Sequence, residues 1–199
     1  GTTIDDALGE AFDKTARLLK MGYPGGPEIE KYAALGDEYR FQLPMPLIHE
    51  SNAHFSFSGL KSAVANIVAK NRCTEKFKKD MAASFQATIN KIIFTKTQNA
   101  VREYKRVIKS KKTVKVVVAG GVAANKSIRR SLGALESIED CQFLFPSIKY
   151  CTDNGAMIAL AGIERFERNK FNKLNFKPRP RWPLDKNAVF MKGKRALEG

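Results

Sequence analysis

The sequence is poor in the residues that build disulfide frameworks and metal centres. Its 199 residues include only three cysteines and two histidines. The cysteines, Cys73, Cys141 and Cys151, form no C-x-x-C pair, which argues against a zinc site of that type and is typical of a reducing compartment such as the cytoplasm. No apolar run approaches the roughly 20 residues that a membrane-spanning helix needs. These shortages leave an ordinary globular protein, for which 43% hydrophobic and 28% charged residues are usual.

Acidic residues are also scarce, except near the start of the chain. The net charge is +15, yet residues 1–50 carry 5 Lys and Arg against 9 Asp and Glu. Residues 165–195 carry 11 basic and 2 acidic side chains, and a Pro-containing tail is predicted over 169–199. A basic tail fits contact with a polyanion such as RNA, and a solubilising surface is the alternative.

Hydrophobic periodicity predicts alternating helices and strands, most clearly in the second half of the chain. The spacing of apolar residues and the turn residues predict helices over 3–20, 27–34, from 58 onward, 75–109, 123–135 and 153–167, and strands over 40–43, 114–119 and 141–145. Such alternation is typical of an α/β fold, in which helices pack on a sheet.

Two of the strand-to-helix junctions hold candidate ligand residues, because ligands of α/β sheets bind where strands end and helices begin. At the first, Gly120 and Gly121 let the backbone approach a phosphate closely, although a tight packing turn would also use them. Asn125 could hydrogen-bond a nucleotide or cap the next helix. At the second, Asp153 is interpreted from the pattern alone as a helix cap rather than a metal ligand.

The first half of the chain offers two carboxylates and a glycine pair. Asp13 lies within a predicted helix, where aspartate is disfavoured, so it could hold ribose hydroxyls or pair with Arg17. Gly25 and Gly26 could meet a sugar or base, or form a plain turn. Glu30 could add a second carboxylate or lie on the surface.

The two histidines do not suggest a metal site. His49 and His54 are five residues apart in an irregular segment, whereas a helical two-histidine site uses a spacing of four. Neither is therefore predicted to be a ligand.

Five ordered segments identify a family resemblance. These are Thr3-Ile-Asp-Asp-Ala-Leu-Gly-Glu-Ala-Phe-Asp-Lys14, Tyr23-Pro-Gly-Gly-Pro27, Phe55-Ser-Phe-Ser-Gly-Leu-Lys61, Ala119-Gly-Gly-Val-Ala-Ala-Asn125 and Cys151-Thr-Asp-Asn-Gly-Ala-Met-Ile-Ala159. Together they closely resemble the bacterial TsaD family of tRNA N6-adenosine threonylcarbamoyltransferases, once labelled glycoproteases. The resemblance covers about residues 1–185 and corresponds to the C-terminal part of the family's fold.

The resemblance implies an actin/Hsp70-like ATPase (ribonuclease H-like) fold, with residues 1–168 forming mostly its second lobe, a mixed sheet with flanking helices. It also implies transfer of a threonylcarbamoyl group from threonylcarbamoyl-adenylate to the exocyclic amine of the adenosine next to the tRNA anticodon (t6A formation). A divalent metal, iron rather than zinc, would polarise the transferred group as a Lewis acid. The implied partners, besides tRNA, are TsaB and TsaE, in the cytoplasm.

The family's site residues carry over by motif. Asp13, Gly26, Asn125 and, less directly, Glu30 would contact the adenylate. Gly120 and Gly121 would form the nucleotide-phosphate loop. The resemblance changes the interpretation of Asp153 from helix cap to metal ligand. No residue of the chain is assigned as a catalytic acid, base or nucleophile.

The main departure from the family is that its two histidine ligands, in an H-x-x-x-H motif, and its Ser-Gly-Gly-His substrate loop do not occur in this sequence. We therefore expect the chain alone to bind metal weakly and to transfer nothing, since transition-metal sites usually need three or four ligands. The competing hypotheses are a metal-dependent glycoprotease, for which the sequence lacks His-Glu-x-x-His, an Hsp70-like or sugar-kinase-like ATPase, and a non-catalytic actin-like nucleotide-binding module.

Overall fold

Helices and a small parallel sheet make up the part of the chain that the structure describes. The structure is a computed structural model, and it describes residues 1–109 and 112–177. In chain order the elements are α1 (Leu8–Leu18), α2 (Gly25–Ala33), α3 (Ser58–Lys70), α4 (Glu75–Ile108), β1 (Val114–Val117), α5 (Lys126–Gly133), β2 (Cys141–Leu144) and α6 (Gly155–Glu167), with short 3-10 turns at Gly121–Ala124 and Ile148–Tyr150. Among these helices none is long and apolar enough to cross a bilayer.

Helix α4 is the centre of the packing. It runs unbroken for 34 residues and packs against α2 and α5, while α1 packs against α2 and α3. Phe12 of α1 meets Phe85 of α4 edge-to-face, with ring centroids 5.4 Å apart, an arrangement that aromatic quadrupoles favour. Met81, Ile89 and Ile92 of α4 are fully buried around this pair. The predicted apolar face of this helix is therefore confirmed.

The two strands β1 and β2 pair in parallel and are joined through α5. Val114 lies opposite Cys141 and Val116 opposite Phe143. The further isolated bridge, Thr3 with Phe55, is also parallel. The predicted combination of helices with a sheet is confirmed, although the sheet was expected to be mixed. Within 1–109 and 112–177 the paired strands run parallel, and neither has an antiparallel neighbour.

The start of the chain differs from its prediction, because α1 begins at Leu8 and not near residue 3. Thr3 is held in the bridge to Phe55, and its hydroxyl donates to the Asp6 carbonyl at 2.8 Å. The Asp5 carboxylate accepts from the amides of Phe57 and Ser58, at 2.8 and 3.2 Å. A carboxylate at a helix N-terminus interacts favourably with the unpaired amides and the helix dipole. Asp5 thus caps α3 instead of lying in the first turn of α1.

The strand predicted over 40–43 is wrong, because this segment is a loop that lies on α4. The Ser84 hydroxyl donates to the Asp37 carbonyl and accepts from the Phe41 amide, at 3.3 and 3.1 Å. Gly36 approaches α4 so closely that a Cβ atom on it would lie 2.0 Å from the Lys79 carbonyl oxygen. These contacts with α4 take the place of the strand pairing that was predicted for this segment.

Helix α6 is apolar and lies on the outside of the described residues. Its large hydrophobic residues are exposed, from 46% at Met157 to 69% at Phe166. It ends at Glu167, next to the boundary predicted at 168/169. Residues 169–177 of the predicted tail are exposed, and residues 178–199 lie outside the described part of the chain, so the predicted tail stays a prediction.

Asp80 makes the attachment of the 36–41 loop sensitive to pH. Its side chain is 6% exposed and accepts from the Asp37 amide at 3.0 Å and from Lys76 at 3.1 Å. The hydrogen bond from the Asp37 amide, together with the charge of Lys76, holds the pKa of Asp80 below its usual value, although burial alone would raise that pKa.

We expect Asp80→Asn to destabilise the protein at pH 7 and to have a smaller effect below about pH 4, near the unfolded-state pKa of aspartate. A carboxyl whose pKa is lowered by folding contributes stability above its unfolded pKa, and this contribution is lost as the pH falls through the folded value. Urea unfolding of both proteins at several pH values measures the difference. Glu164→Gln, which removes an exposed carboxylate paired with Arg168, is the control. A difference for Asp80→Asn that does not change with pH would contradict the prediction.

Candidate functional site

A cleft of about 620 Å³ opens between α1, α2, the 3-10 turn at Gly121–Ala124 and the segment after β2. We call it the central cleft, and its walls are Gly9, Phe12, Asp13, Pro24, Gly26, Pro27, Glu30, Gly121, Val122, Ala124, Asn125, Lys126, Ile148 and Thr152. Five of the seven predicted site residues are among them. Gly120 immediately precedes the lining residue Gly121, and Asp153 immediately follows Thr152. The sequence motifs are therefore brought together from four separate stretches of chain.

Asp13 joins α1 to the start of α2. Its Oδ1 atom accepts from the Gly25 amide at 2.8 Å, which satisfies one of the unpaired donors of the first turn of α2. The Asp13–Arg17 ion pair, the alternative at the sequence level, is not recorded among the described residues. The cap occupies one oxygen of Asp13, which leaves the second oxygen for a donor in the cleft.

The two glycines at the start of α2 have different surroundings. A Cβ atom on Gly25 would lie 2.7 Å from the Asp13 Cα and 2.8 Å from the Phe12 carbonyl oxygen, both backbone atoms of α1. A Cβ atom on Gly26 would meet no heavy atom within 4 Å, and Gly26 lines the cleft. Gly25 thus permits the close helix contact, and Gly26 leaves room in the cleft.

Glu30 caps α5 from a distance of 96 residues in sequence. Its Oε1 atom accepts from the amides of Lys126 and Ser127, at 2.7 and 3.3 Å. These are the first amides of α5, so the carboxylate satisfies donors that have no partner within the helix, and its negative charge interacts favourably with the helix dipole. Glu30 is therefore not simply a surface residue, because it fixes the position of α5 relative to α2.

Asn125 is buried, and each of its two polar side-chain atoms makes a hydrogen bond inside the protein. Its Oδ1 accepts from the Ile128 amide at 2.9 Å, which makes it the N-cap of α5, and its Nδ2 donates to Gln86 at 2.9 Å. Gln86 donates to Asn90, which donates to Ser127, so four polar side chains form a continuous chain of hydrogen bonds between α4 and α5. The interpretation of Asn125 as a helix cap is confirmed, and both of its polar side-chain atoms take part in this network.

The Gly-Gly junction adopts a conformation that suits glycine. Gly120 has φ 93°, a value that L side chains rarely adopt, and Gly121 begins a 3-10 turn that ends at Ala124. Neither glycine has a heavy atom within 4 Å of where a Cβ would stand. The helix predicted over 123–135 therefore begins as this turn and continues as α5 from Lys126.

Asp153 is exposed and does not cap α6. The cap is its neighbour Asn154, whose Oδ1 accepts from the Met157 amide at 3.0 Å. For the Asp153 side chain, no hydrogen bond or ion pair is recorded with any residue of the described ranges. Its carboxylate is thus free to offer one hard oxygen to a cation beside the cleft.

The described residues do not by themselves assemble a metal centre. Within 1–109 and 112–177 no group of three or more His, Cys, Asp and Glu side chains is placed to hold an ion. His54 is occupied as an acceptor, since its Nδ1 accepts from the Thr2 amide at 3.2 Å, and His49 is exposed. Asp153 could therefore be one ligand only, with others from outside the described residues.

Several features of the cleft could not be found from sequence patterns. Phe12, Pro24 and Ile148 supply apolar walls, and nothing in their local sequence distinguishes them from core or loop residues. Asp5, which caps α3, and Glu30, which caps α5, accept from amides more than 50 residues away in sequence. The arrangement provides an apolar cleft with the Asp13 carboxylate in its wall and with backbone at Gly26 and Gly121 that no side chain covers. The carboxylate of Asp153 lies beside it.

Comparison with known proteins places these features in a family. A family model described as TsaD: tRNA N6-adenosine threonylcarbamoyltransferase matches residues 1–160. The chain is 51% identical over 193 residues to the protein of that name from Pelagibacter ubique (strain HTCC1062), covering 97% of the chain and 54% of the relative. It is 45% identical over 186 residues to the Rickettsia rickettsii (strain Sheila Smith) protein, covering 93% and 54%.

The chain spans about half the length of the curated relatives it matches. The matched region contains every predicted site residue, from Asp13 to Asp153, and all the walls of the central cleft. The chain therefore belongs to the TsaD family.

Proposed function

We propose that this chain forms the adenylate-binding part of a tRNA threonylcarbamoyltransferase, with the actin/Hsp70-like lobe that the family resemblance implies. The observation that carries the proposal is the central cleft, which gathers Asp13, Gly26, Glu30, Gly121 and Asn125 from distant segments. The curated relatives bear the name of this activity and match the chain over 193 and 186 residues. The donor would be threonylcarbamoyl-adenylate, and the acceptor the exocyclic amine of the adenosine next to the anticodon.

The reaction is an acyl transfer in which positioning matters most. The adenosine amine forms a bond to the carbamoyl carbon, the bond from that carbon to the phosphate oxygen breaks, the amine loses a proton, and AMP leaves. An aromatic amine is a weak nucleophile, so holding it against the carbonyl should supply much of the rate. No residue of the cleft is a nucleophile in this scheme.

Each cleft residue has a role that follows from its geometry. The free oxygen of Asp13 would accept from a ribose hydroxyl, and Gly26 and Gly121 would let the adenylate lie against backbone. Glu30 and Asn125 would act indirectly, because their bonds to the amides of α5 hold the junction that faces the ligand. Asn125 is thus proposed to position the junction, in addition to the adenylate contact that the family resemblance implies, because it lines the cleft and one N–H of its amide is not used in these bonds.

The direct test is Asp13→Asn in the full-length protein that contains this chain. Asparagine can still accept from the Gly25 amide, so the helix contact is kept while the charge is lost. We expect kcat/KM for the adenylate to fall by about 10- to 100-fold, the usual loss for a hydrogen bond to a charged group. Arg17→Ala, one turn along α1, is the control. Equal activity of Asp13→Asn and the control would overturn the assignment of the cleft.

We propose that Asp153 supplies one ligand to a divalent metal, iron rather than zinc, which would polarise the carbamoyl carbonyl when bound. The exposed, unpaired carboxylate next to the cleft residue Thr152 supports this, and the remaining ligands must come from outside the described residues. In the full-length protein, Asp153→Ala should lower the metal content measured by mass spectrometry and reduce transfer at least 100-fold. Glu164→Ala, an exposed carboxylate on α6, should change neither. Unchanged metal content in Asp153→Ala would contradict the proposal.

We further propose that tRNA, TsaB and TsaE are partners of the whole protein in the cytoplasm. The net charge of +15 and the basic residues of 165–195 support contact with RNA. Removal of residues 178–199 should weaken tRNA binding at low salt more than it weakens AMP binding, because phosphate contacts depend strongly on ionic strength.

A further inference from the structure

Arg129 of α5 contacts both of the junctions that border the central cleft. Its Nε donates to the Ala123 carbonyl in the 3-10 turn, and one Nη donates to the Pro146 carbonyl at 2.8 Å. The same Nη atom lies 3.2 Å from the Cys151 sulfur. The guanidinium carbon stands 5.0 Å from the centre of the Phe145 ring, an arrangement typical of a cation–π contact.

Arg129 makes the hydrogen bonds that link the segment 146–152 to another element of the described residues. Its other recorded hydrogen bonds lie within 146–154, from Tyr150 to Ser147, from Cys151 to Ile148, from Asn154 to Thr152 and from the Cys151 thiol to nearby carbonyls. Within the described ranges, Arg129 is thus the one hydrogen-bonding link between this segment and another element. The segment supplies Ile148 and Thr152 to the cleft.

We propose that Arg129 is a positioning residue that sets the distance between the Gly-Gly junction and the 146–152 segment, and so the width of the central cleft. A guanidinium suits this task because its planar fork donates in several fixed directions and is always charged, whereas lysine offers a flexible point charge. The inference rests on the proposed function for its effect on transfer, but its structural part does not.

The structural part is tested first, through the Cys151 thiol. Cys151 is 3% exposed and shielded by the contacts of Arg129, so its alkylation by iodoacetamide should be slow. In Arg129→Gln we expect the labelling rate of the Cys151 peptide, followed by mass spectrometry, to rise at least tenfold. Amide hydrogen exchange over 146–152 should accelerate, while exchange in the core of α4 should not. Arg129→Lys, which keeps the charge, should lie between Arg129→Gln and the original protein.

The control is Arg130→Ala, which removes the same charge one residue along α5. Arg130 is exposed, is not among the walls of the central cleft and lines a neighbouring groove, together with Lys31 and Asn90. It should change neither the labelling of Cys151 nor the exchange of 146–152. If Arg129→Gln and Arg130→Ala behave alike in both measurements, or if exchange accelerates equally throughout the protein, the positioning role is wrong.

Kinetics of the full-length protein complete the test. Arg129→Gln should raise the KM for the adenylate at least tenfold and leave the KM for tRNA within twofold, since the cleft and not the RNA surface is altered. One outcome would be that Arg129→Gln speeds the labelling of Cys151 but leaves the KM for the adenylate unchanged, while Asp13→Asn loses activity. The inference then fails, and the proposed function stands. If neither Asp13→Asn nor Arg129→Gln affects transfer, the proposed function itself fails.

Discussion

Replacing Gly25 with alanine is expected to lower the free energy of unfolding by about 3 kcal/mol, at the upper end of the usual cost of overpacking. The added methyl group would stand 2.7 Å from the Asp13 Cα and 2.8 Å from the Phe12 carbonyl oxygen. These are backbone atoms of a helix and cannot rotate aside, so α1 and α2 must separate. Separation would also lengthen the Asp13–Gly25 hydrogen bond that now measures 2.8 Å. Urea unfolding of both proteins measures the loss.

Gly26→Ala is the matched control for Gly25→Ala. No heavy atom lies within 4 Å of the new Cβ, so the free energy of unfolding should change by less than about 0.5 kcal/mol or rise slightly, because alanine reduces the entropy of the unfolded chain. The methyl group would nevertheless stand in the central cleft, and calorimetry should show weaker binding of AMP to the full-length protein. Equal stability of the two variants would show that the helices do not approach as closely as described.

The elements that the sequence predicted best are those with strong local patterns. The strands β1 and β2, the long helix α4 and the two junctions follow from apolar runs, periodicity and glycine pairs that lie close together in sequence. The predicted site residues were also found in one place, since Asp13, Gly26, Glu30 and Asn125 all line the central cleft. Their individual roles there stay predictions.

Long-range hydrogen bonds explain most of the failures. The helix predicted over 3–20 would place Asp5 in its first turn, yet Asp5 caps α3 by accepting from amides that lie 52 and 53 positions away. Glu30 caps α5 across 96 positions. A carboxylate next to a helix N-terminus is favourable whichever element carries it, so sequence proximity cannot identify the partner. The same applies to the loop over 36–41, which Asp80 and Ser84 hold on α4.

The pair Asp153 and Asn154 shows a local limit of the same kind. Both residue types are good N-caps, and the pattern places them side by side. Backbone geometry selects Asn154, which bonds the Met157 amide, and leaves the carboxylate of Asp153 exposed. A cap and a candidate ligand are thus separated by one residue, a distinction below the precision with which helix boundaries can be predicted.

Asn125→Ala is expected to cost about 3 kcal/mol of unfolding free energy, far more than loss of an ordinary helix cap. Loss of the bond to the Ile128 amide accounts for about 1 kcal/mol. The remainder, about 1–3 kcal/mol, comes from the Gln86 oxygen, which would be left buried without its donor. Thermal and urea unfolding of the two proteins measure the total.

Two further variants separate these contributions. Asn154→Ala removes the same type of cap from α6, which buries none of its residues within the described part of the chain, so its cost should stay near 1 kcal/mol or below. Asn125→Asp keeps the acceptor for the Ile128 amide but removes the donor to Gln86, so it should destabilise the protein while α5 keeps its cap. If Asn125→Ala costs no more than Asn154→Ala, the hydrogen-bonded chain from Asn125 to Ser127 contributes nothing beyond the cap. If it costs the predicted excess, the buried Gln86 side chain of α4 stabilises the Gly-Gly junction. The rigidity of one wall of the central cleft then originates on a helix that supplies none of the lining residues of that cleft.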